Sequence, residues 1–255
     1  MNIREYVDNP MGKGDSSIPN RRELIESLSF KYDKLISRKG NDIKLNAYHD
    51  RLTDDYFFHL VIPSETERSN SYDVVFKFSD TNKEHHQELS ISKYDVTVFS
   101  NSPSFAYTFA YVYAKNGLFI ESLGDRLGKE FFKKEPEVRN RFGIINYDKY
   151  VYFGARFILD SKRLNRAFLD MIVKPYHREP FSRSVRTLDT IMTEYGNAEA
   201  ALKKKRNKLK QSSSGSSRSV GENKTVKPKT SSIKTLTKKT AKKPIKPKSN
   251  KVRKL

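Results

Sequence analysis

The chain contains no cysteine and no tryptophan among its 255 residues. The lack of cysteine excludes a disulfide framework, a thiolate zinc site and a cysteine nucleophile. No apolar run approaches the roughly 20 residues that a membrane-spanning helix needs. The N-terminal sequence MNIREYVDNPMGKG also lacks the apolar core of a signal peptide. These absences predict an intracellular protein that has no membrane partner.

Positive charge is concentrated at one end of the chain. The formal net charge is +20, and +19 of it lies between Lys203 and Leu255, where Glu222 is the one acidic residue. Positions 1–202 therefore have a net charge of about +1. The sequence thus consists of a nearly neutral body and a polycationic tail.

Aromatic residues are confined to the body, because all 16 phenylalanine and 14 tyrosine residues lie at or before Tyr195. The tail has only scattered apolar residues, which cannot offset an ordering cost of roughly 1–2 kcal/mol per residue. The composition therefore predicts a flexible arm at 1–20, a globular body at 21–202 and a disordered lysine-rich tail at 203–255.

The order of hydrophobic patterns predicts an α+β fold. Apolar residues recur at helical spacing after Asn20, a residue suited to a helix N-cap, and Gly40 marks the end of this N-terminal helix. Four runs rich in Val, Ile, Phe and Tyr follow, namely DIKLNAYHD, YFFHLVIP, YDVVFKFSD and YDVTVFS. Polar turns separate them, which favours an antiparallel meander of about four strands.

The second half of the body is predicted to be mainly helical. Its first helix has Ser102 as N-cap, Pro103 at its first position and a stop at Asn116-Gly117. Pro175 and Pro180 bracket a break in the helical pattern. Apolar spacing indicates further helices around Leu127, Val151 and Phe168. It also indicates a last helix that begins at about Ser184, includes Leu188 and runs into NAEAALKKKRNKLK.

Motifs for chemistry are weak in the body. MGKGDSS at 11–17 resembles a phosphate-binding loop, but the full pattern and a preceding strand are absent. His85 and His86 are adjacent, so their side chains would diverge rather than converge on a metal. His59 is expected to pack or to form a hydrogen bond, and no serine, histidine and carboxylate share the spacing of a known nucleophile motif. We therefore predict no catalytic residue, no metal site, no cofactor and a non-enzymatic protein.

Three tyrosines, Tyr107, Tyr111 and Tyr113, allow two interpretations. They could stack on bases, as aromatic side chains do in proteins that bind single strands. Alanine and phenylalanine interleave with them and arginine does not, which favours a helix in the core.

The tail has the composition of a phosphate-binding segment. Lysine is a hydrated point charge on a flexible stem, so it suits phosphate neutralisation better than base reading, and binding would be independent of sequence. Alternative interpretations are a nuclear localisation signal, an anionic membrane surface and an acidic protein partner. The residues predicted to bind nucleic acid are Lys203, Lys204, Lys205, Arg206, Lys208, Lys210, Lys234, Lys238, Lys239, Lys242, Lys243, Lys246, Lys248, Lys251, Arg253 and Lys254.

Two parts of the body carry a resemblance to a known group. NIREYVDNPMGKG with RRELIESLSFKYDKLI, and FSNSPSFAYTFAYVYAKNGLFIESL with RNRFGIINYDKYVYFGARFI, resemble uncharacterised proteins of tailed bacteriophages of low-GC Gram-positive hosts. The resemblance covers about positions 1–175. It implies a phage-encoded protein, in the host cytoplasm or in the virion, that is assembled near packaged DNA. It supplies no diagnostic catalytic motif, so no functional residue follows from it.

Two functions from different classes remain open. The first is a non-enzymatic protein whose body docks on a protein assembly, such as a virion or packaging complex, or on itself, while the tail binds nucleic acid. The alternative is a nucleic-acid-processing enzyme, such as a metal-dependent nuclease, that holds its substrate with the tail. A host-directed factor that modulates transcription shares the first architecture. The sequence does not distinguish DNA from RNA as the ligand.

Overall fold

The computed structural model describes residues 1–8, 21–65, 70–79, 91–135, 148–160, 174–176 and 184–214. The helices are α1 (Glu5–Asp8), α2 (Arg21–Lys39), α3 (Ala110–Lys115), α4 (Lys129–Lys133), α5 (Lys149–Asp160) and α6 (Leu188–Ser214). The strands are β1 (Lys44–Asp50), β2 (Asp55–Pro63), β3 (Ser71–Ser79), β4 (Asp95–Ser100) and β5 (Lys174–Tyr176). A compact unit spans Met1–Leu209, and Lys210–Leu255 forms a second unit.

The predicted α+β class and the antiparallel meander are confirmed. Strands β1 to β4 pair in sequence order and are all antiparallel, after the N-terminal helix and before the helical second half. A fifth strand, β5, was not predicted and pairs parallel to β1. It has three residues and contains Pro175, which the sequence placed at a helix break. Proline removes a backbone donor, so a short edge strand is where it is tolerated.

Both faces of the sheet are buried at strands β2, β3 and β4. Phe58, Phe76 and Val98 are aligned across β2, β3 and β4 on one face, and His59, Val75 and Phe99 are aligned on the other. All six side chains are almost inaccessible to solvent. A central strand with two buried faces reads as a continuous apolar run, which explains the sequence of β2.

Helix α5 packs very closely against the first face. A Cβ atom built on Gly154 would lie 2.7 Å from Cε2 of Phe76 and 3.5 Å from Cγ1 of Val74. Val151, Ala155 and Gly154 are all buried on this helix, as its apolar spacing predicted. The glycine therefore sets how near the helix backbone approaches the sheet.

The first eight residues differ from the predicted flexible arm. Ile3 and Tyr6 are fully buried. The backbone N–H of Val96 donates to the carbonyl of Met1 at 2.8 Å, and the Tyr6 hydroxyl donates to the carbonyl of Val96 at 3.4 Å. Strand β4 is an edge of the sheet, so its outer backbone groups need partners: the N-terminal residues supply those of Val96, and the segment Leu118–Ile120 supplies those of Val98. The rest of the predicted arm, 9–20, lies outside the described residues.

The start of the helical half is built as predicted. Ser102 Oγ accepts a hydrogen bond from the backbone N–H of Phe105 at 3.1 Å. A π-helical turn over Phe105–Phe109 leads into α3, which ends at Lys115 and is followed two residues later by Gly117 with a φ of +67°. The helix expected around Leu127 is instead a 3₁₀ helix, Glu121–Arg126, followed by α4. Gly128 separates the two with a φ of +98°, a conformation that favours glycine. The helix expected around Phe168 lies outside the described residues.

The last helix begins later than predicted and extends beyond the predicted start of the disordered tail. Val185 and Leu188 are buried as expected, but α6 begins at Leu188 and continues to Ser214. The first twelve residues of the predicted disordered tail are therefore helical. The remaining tail, 215–255, lies outside the described residues. None of the described helices is both long enough and apolar enough to cross a bilayer.

Replacing Gly154 with alanine tests the close approach of α5 to β3. We expect the added methyl group to displace the buried Phe76 ring and to destabilise the protein by about 1–3 kcal/mol, measured by urea unfolding. The matched control is Gly196→Ala in α6, where the new Cβ meets nothing within 4 Å. That substitution should be neutral or stabilise by up to about 1 kcal/mol. Equal effects of the two substitutions would contradict this description of the packing.

Candidate functional site

Helix α6 joins the buried core to an exposed basic segment. Leu188 and Ile191 in its first turn are buried, whereas Leu202 is 58 % exposed. The four residues that follow, Lys203, Lys204, Lys205 and Arg206, are all exposed. The helix therefore begins against the body and presents consecutive cations to solvent.

Local sequence explains why α6 forms and where its charge is unbalanced. Thr187 caps the helix, because its Oγ1 accepts the backbone N–H of Thr190 at 3.2 Å and its carbonyl accepts that of Ile191. Glu199 precedes Lys203 by four residues, an arrangement that favours helix. No further acidic residue occurs until Glu222. The basic turns thus contain like charges at helical neighbour positions, which repel one another unless an anion neutralises them.

The structure places six of the predicted nucleic-acid-binding residues on one helix. Lys203 to Arg206 have exposed side chains, and positions 208 and 210 belong to the helical backbone. The other ten predicted residues lie outside the described residues. These are Lys234, Lys238, Lys239, Lys242, Lys243, Lys246, Lys248, Lys251, Arg253 and Lys254.

A buried polar cluster lies where α6 meets the second face of the sheet. Its centre is Asp73 on β3, whose side chain is 1 % exposed. Nε2 of His59 lies 2.8 Å from one carboxylate oxygen, and Nε of Arg186 lies 2.9 Å from the other. Nδ2 of Asn101 donates to the same oxygen as Arg186 at 2.7 Å. Three donors from three separate segments thus converge on one carboxylate.

Two members of this cluster, which we call the Asp73 cluster, also bind backbone groups. Asn101 Oδ1 accepts the N–H of Asp73 at 2.8 Å, and the N–H of Asn101 donates to the carbonyl of Asp73. Arg186 donates to the carbonyl of Ser71 at 2.8 Å and to Glu194 at 3.0 Å. The guanidinium group therefore ties β3 to the start of α6.

The side chains of Ser184, His59 and Asp73 are linked by two successive polar contacts, which sequence spacing did not predict. Ser184 Oγ lies 3.4 Å from Nδ1 of His59, and Nε2 of that ring faces Asp73. These are the residue types of a nucleophilic triad. A catalytic histidine must also reach the leaving group, but the His59 side chain is 2 % exposed, and Asp73 is shared with Arg186. We interpret these contacts as an anchor for the segment before α6.

The charge state of Asp73 follows from its surroundings. Burial alone would raise the pKa of this carboxyl group. The hydrogen bond from His59 and the positive charge of Arg186 outweigh that effect and hold the pKa below its ordinary value of 3.8. Asp73 is therefore an ionised acceptor at neutral pH.

A second buried carboxylate, Asp148, caps helix α5. One of its oxygens accepts the backbone N–H groups of Tyr150 and Val151 at 3.0 Å, and the other accepts the Ser102 hydroxyl at 2.9 Å. Burial raises the pKa of Asp148, although these hydrogen bonds oppose the change. The group links two helix starts and has a structural explanation.

The tyrosine-rich helix belongs to the core on one side and lines a shallow pocket on the other. Tyr113 is fully buried, which confirms the core interpretation for that residue, while Tyr107 is exposed. Tyr111 lines a pocket of about 370 Å³ together with Phe132 and two lysines, Lys115 and Lys133. Glu121 also lines this pocket, so its lining combines two aromatic rings with charges of both signs.

The histidines and the MGKGDSS stretch were the candidates for a metal or phosphate site. Within them, no group of three or more histidine and acidic side chains converges on a point that a metal ion could occupy. His49 contacts Asp54 at 2.6 Å and stacks on Tyr56. His85, His86 and the MGKGDSS stretch at 11–17 lie outside the described residues.

Comparison with known proteins does not identify a relative. No protein-family model, no curated protein and no solved structure matches the chain. The function is therefore argued from the charge, burial and geometry described above.

Substitution of Asp73 by asparagine tests the Asp73 cluster. We expect a loss of about 2–3 kcal/mol of stability at pH 7, because Arg186 loses its buried counter-charge. The folded pKa lies below the unfolded value of 3.8, so the unfolded chain binds this proton more readily as the pH falls. The contribution of the ionised carboxylate is thus complete above about pH 4 and disappears at lower pH.

Urea unfolding of the wild type and of Asp73→Asn between about pH 2.5 and pH 7 measures the difference in their free energies of unfolding. The gap between wild type and Asp73→Asn should narrow below the ordinary carboxyl pKa of 3.8. Glu26→Gln is the control, because the Glu26–Arg22 pair lies on the surface of α2 and contributes little. A gap that stays constant with pH would show that the charge of Asp73 is not what holds the cluster.

Proposed function

We propose that the chain is a non-enzymatic protein that binds nucleic acid through its basic C-terminal segment. The observation that carries this proposal is the exposed run Lys203–Arg206 in a helix whose first turn packs on the body through Leu188 and Ile191. The sequence continues this run with many more lysines and one acidic residue, Glu222. Such a segment has no counter-charge of its own, so it recruits an external polyanion.

The composition of the segment sets the mode of binding. Lysine contacts phosphate as a point charge, whereas arginine forms the paired hydrogen bonds that read guanine. The segment from Lys203 to Leu255 contains three arginines among twenty basic residues. Affinity should therefore come from counterion release and should not depend on base sequence. This proposal applies to DNA and RNA alike.

We propose further that the body docks on a protein assembly, which in a phage is the virion or its packaging machinery. The body is nearly neutral, so it contributes little to phosphate binding. It also exposes two apolar side chains on α2, Phe30 at 69 % and Leu24 at 37 %. Substitution of these two side chains can test whether α2 contacts another protein. The resemblance to phage proteins is the reason for proposing a virion or packaging protein as that partner.

Truncation after Leu202 tests the proposed role of the basic segment. We expect the shortened protein to keep its urea midpoint and to lose nucleic-acid binding by at least about a hundredfold at 100 mM salt. If about ten lysines contact phosphates, the full chain should show a log–log salt slope near −9. Fluorescence anisotropy with labelled DNA and RNA measures both quantities.

A variant with glutamine at positions 203–206 should give intermediate affinity, because it removes four of the cations. Unchanged affinity of the truncated protein would overturn the proposal. Cleavage of the labelled DNA or RNA that depends on magnesium or manganese would favour the nuclease alternative.

Purified phage particles provide the test of docking. The protein should be found in particles by mass spectrometry, and Phe30→Ser should reduce its incorporation without changing its affinity for DNA. Leu52→Ser is the matched control, because Leu52 is at least as exposed but lies in the β1–β2 turn and not on α2. Absence of the wild-type protein from particles would contradict docking on the virion. Equal incorporation of the Phe30→Ser and Leu52→Ser variants would contradict docking through α2.

A further inference from the structure

The exposed cations of α6 surround the helix. Successive residues of an α-helix are rotated by about 100°. Lys203, Lys204, Lys205 and Arg206 are consecutive and exposed, so their side chains leave the helix in four directions. A helix that rests on one flat anionic surface would use about half of them and leave the others unpaired.

Two opposed walls of phosphate would satisfy all four side chains at once. The major groove of B-form DNA is about 12 Å wide, and an α-helix with its side chains is about 10–12 Å across. Phosphates line both edges of that groove. Single strands have no second wall, and the major groove of A-form RNA is too narrow to admit side chains.

The basic turn also stands clear of the part of α6 that packs on the body. Twelve residues separate Ile191, which is buried, from Lys203. At 1.5 Å per residue this separation is about 18 Å along the helix axis. Leu202, next to the first of the four cations, is already largely exposed. A groove could therefore receive this turn without moving the anchored first turn.

We propose that the basic turn of α6, Lys203–Arg206, inserts into the major groove of double-stranded B-form DNA. This proposal rests on the proposed function and adds to it, because it selects duplex DNA over duplex RNA and single strands. Selection is by groove shape, since the lysines contact phosphates and do not read bases. The remaining lysines add affinity that is common to all three ligands.

A pair of substitutions at Asn207 tests the proposal in the full-length protein. Asn207→Pro removes the N–H of residue 207 and clashes with the carbonyl of residue 203, so it breaks the helix within the basic turn. Asn207→Ala favours the helix. Both variants keep every charge, and both change an exposed position. Equal urea midpoints would show that the body is intact in each.

Affinity is measured for a DNA duplex of about two helical turns, an RNA duplex and a single strand of the same sequence. Wild type and Asn207→Ala should prefer the DNA duplex over the other two ligands by about tenfold or more. Asn207→Pro should bind all three with similar affinity. The major-groove ligand methyl green should compete with wild type for DNA, and the minor-groove ligand netropsin, also a cation, should not.

Equal binding of wild type to DNA and RNA duplexes would overturn the insertion but leave the proposed function intact. The same conclusion follows if the proline and alanine variants behave alike. Failure of the wild type to bind any of the three ligands would overturn the proposed function as well.

Discussion

The contact between Asp73 and Arg186 is the interaction on which the position of α6 depends. A buried carboxylate costs several kcal/mol unless donors surround it. His59 from β2, Asn101 after β4 and Arg186 before α6 together provide them. Because each donor comes from a different segment, the carboxylate holds the second face of the sheet, the end of β4 and the start of the last helix in one arrangement.

The fixed start of α6 has a consequence at its other end. From Leu188 to Ser214 the helix is continuous, and it contains no proline and one glycine, Gly196. An uninterrupted helix transmits the direction of its first turn to its last. The cations at 203–206 are therefore oriented by a charge pair in the core, although none of them touches the body's polar cluster. Charge thus has two separate roles along α6: the Asp73–Arg186 pair anchors its start, and the exposed cations at 203–206 are available to an external anion.

The sequence predicted those features that depend on neighbouring residues. The shared face of Val74, Phe76 and Phe78 in β3, the cap at Ser102 and the stop at Gly117 are local signals, and each appears in the structure. Other features depend on residues far apart in the chain. Met1 pairs with Val96, and Ser184 reaches His59 across 125 positions. Such contacts leave no periodic pattern, so the buried N-terminus and the polar cluster could not be predicted.

A helix already formed at 203–214 changes what the basic segment can do. A polycation that is disordered before binding, as composition predicts for the rest of the tail, gives up conformational entropy whenever it is held on a ligand, roughly 1–2 kcal/mol for each residue ordered. Residues that are already helical in the folded protein have lost most of this backbone entropy before any ligand binds. The Cα–Cβ bonds of the basic residues also have fixed directions on the helix, so under the proposed function a ligand with matching phosphate positions would engage them together. Under that proposal, shape preference should arise in the helix, while the lysines beyond it should set the overall strength and salt dependence of binding.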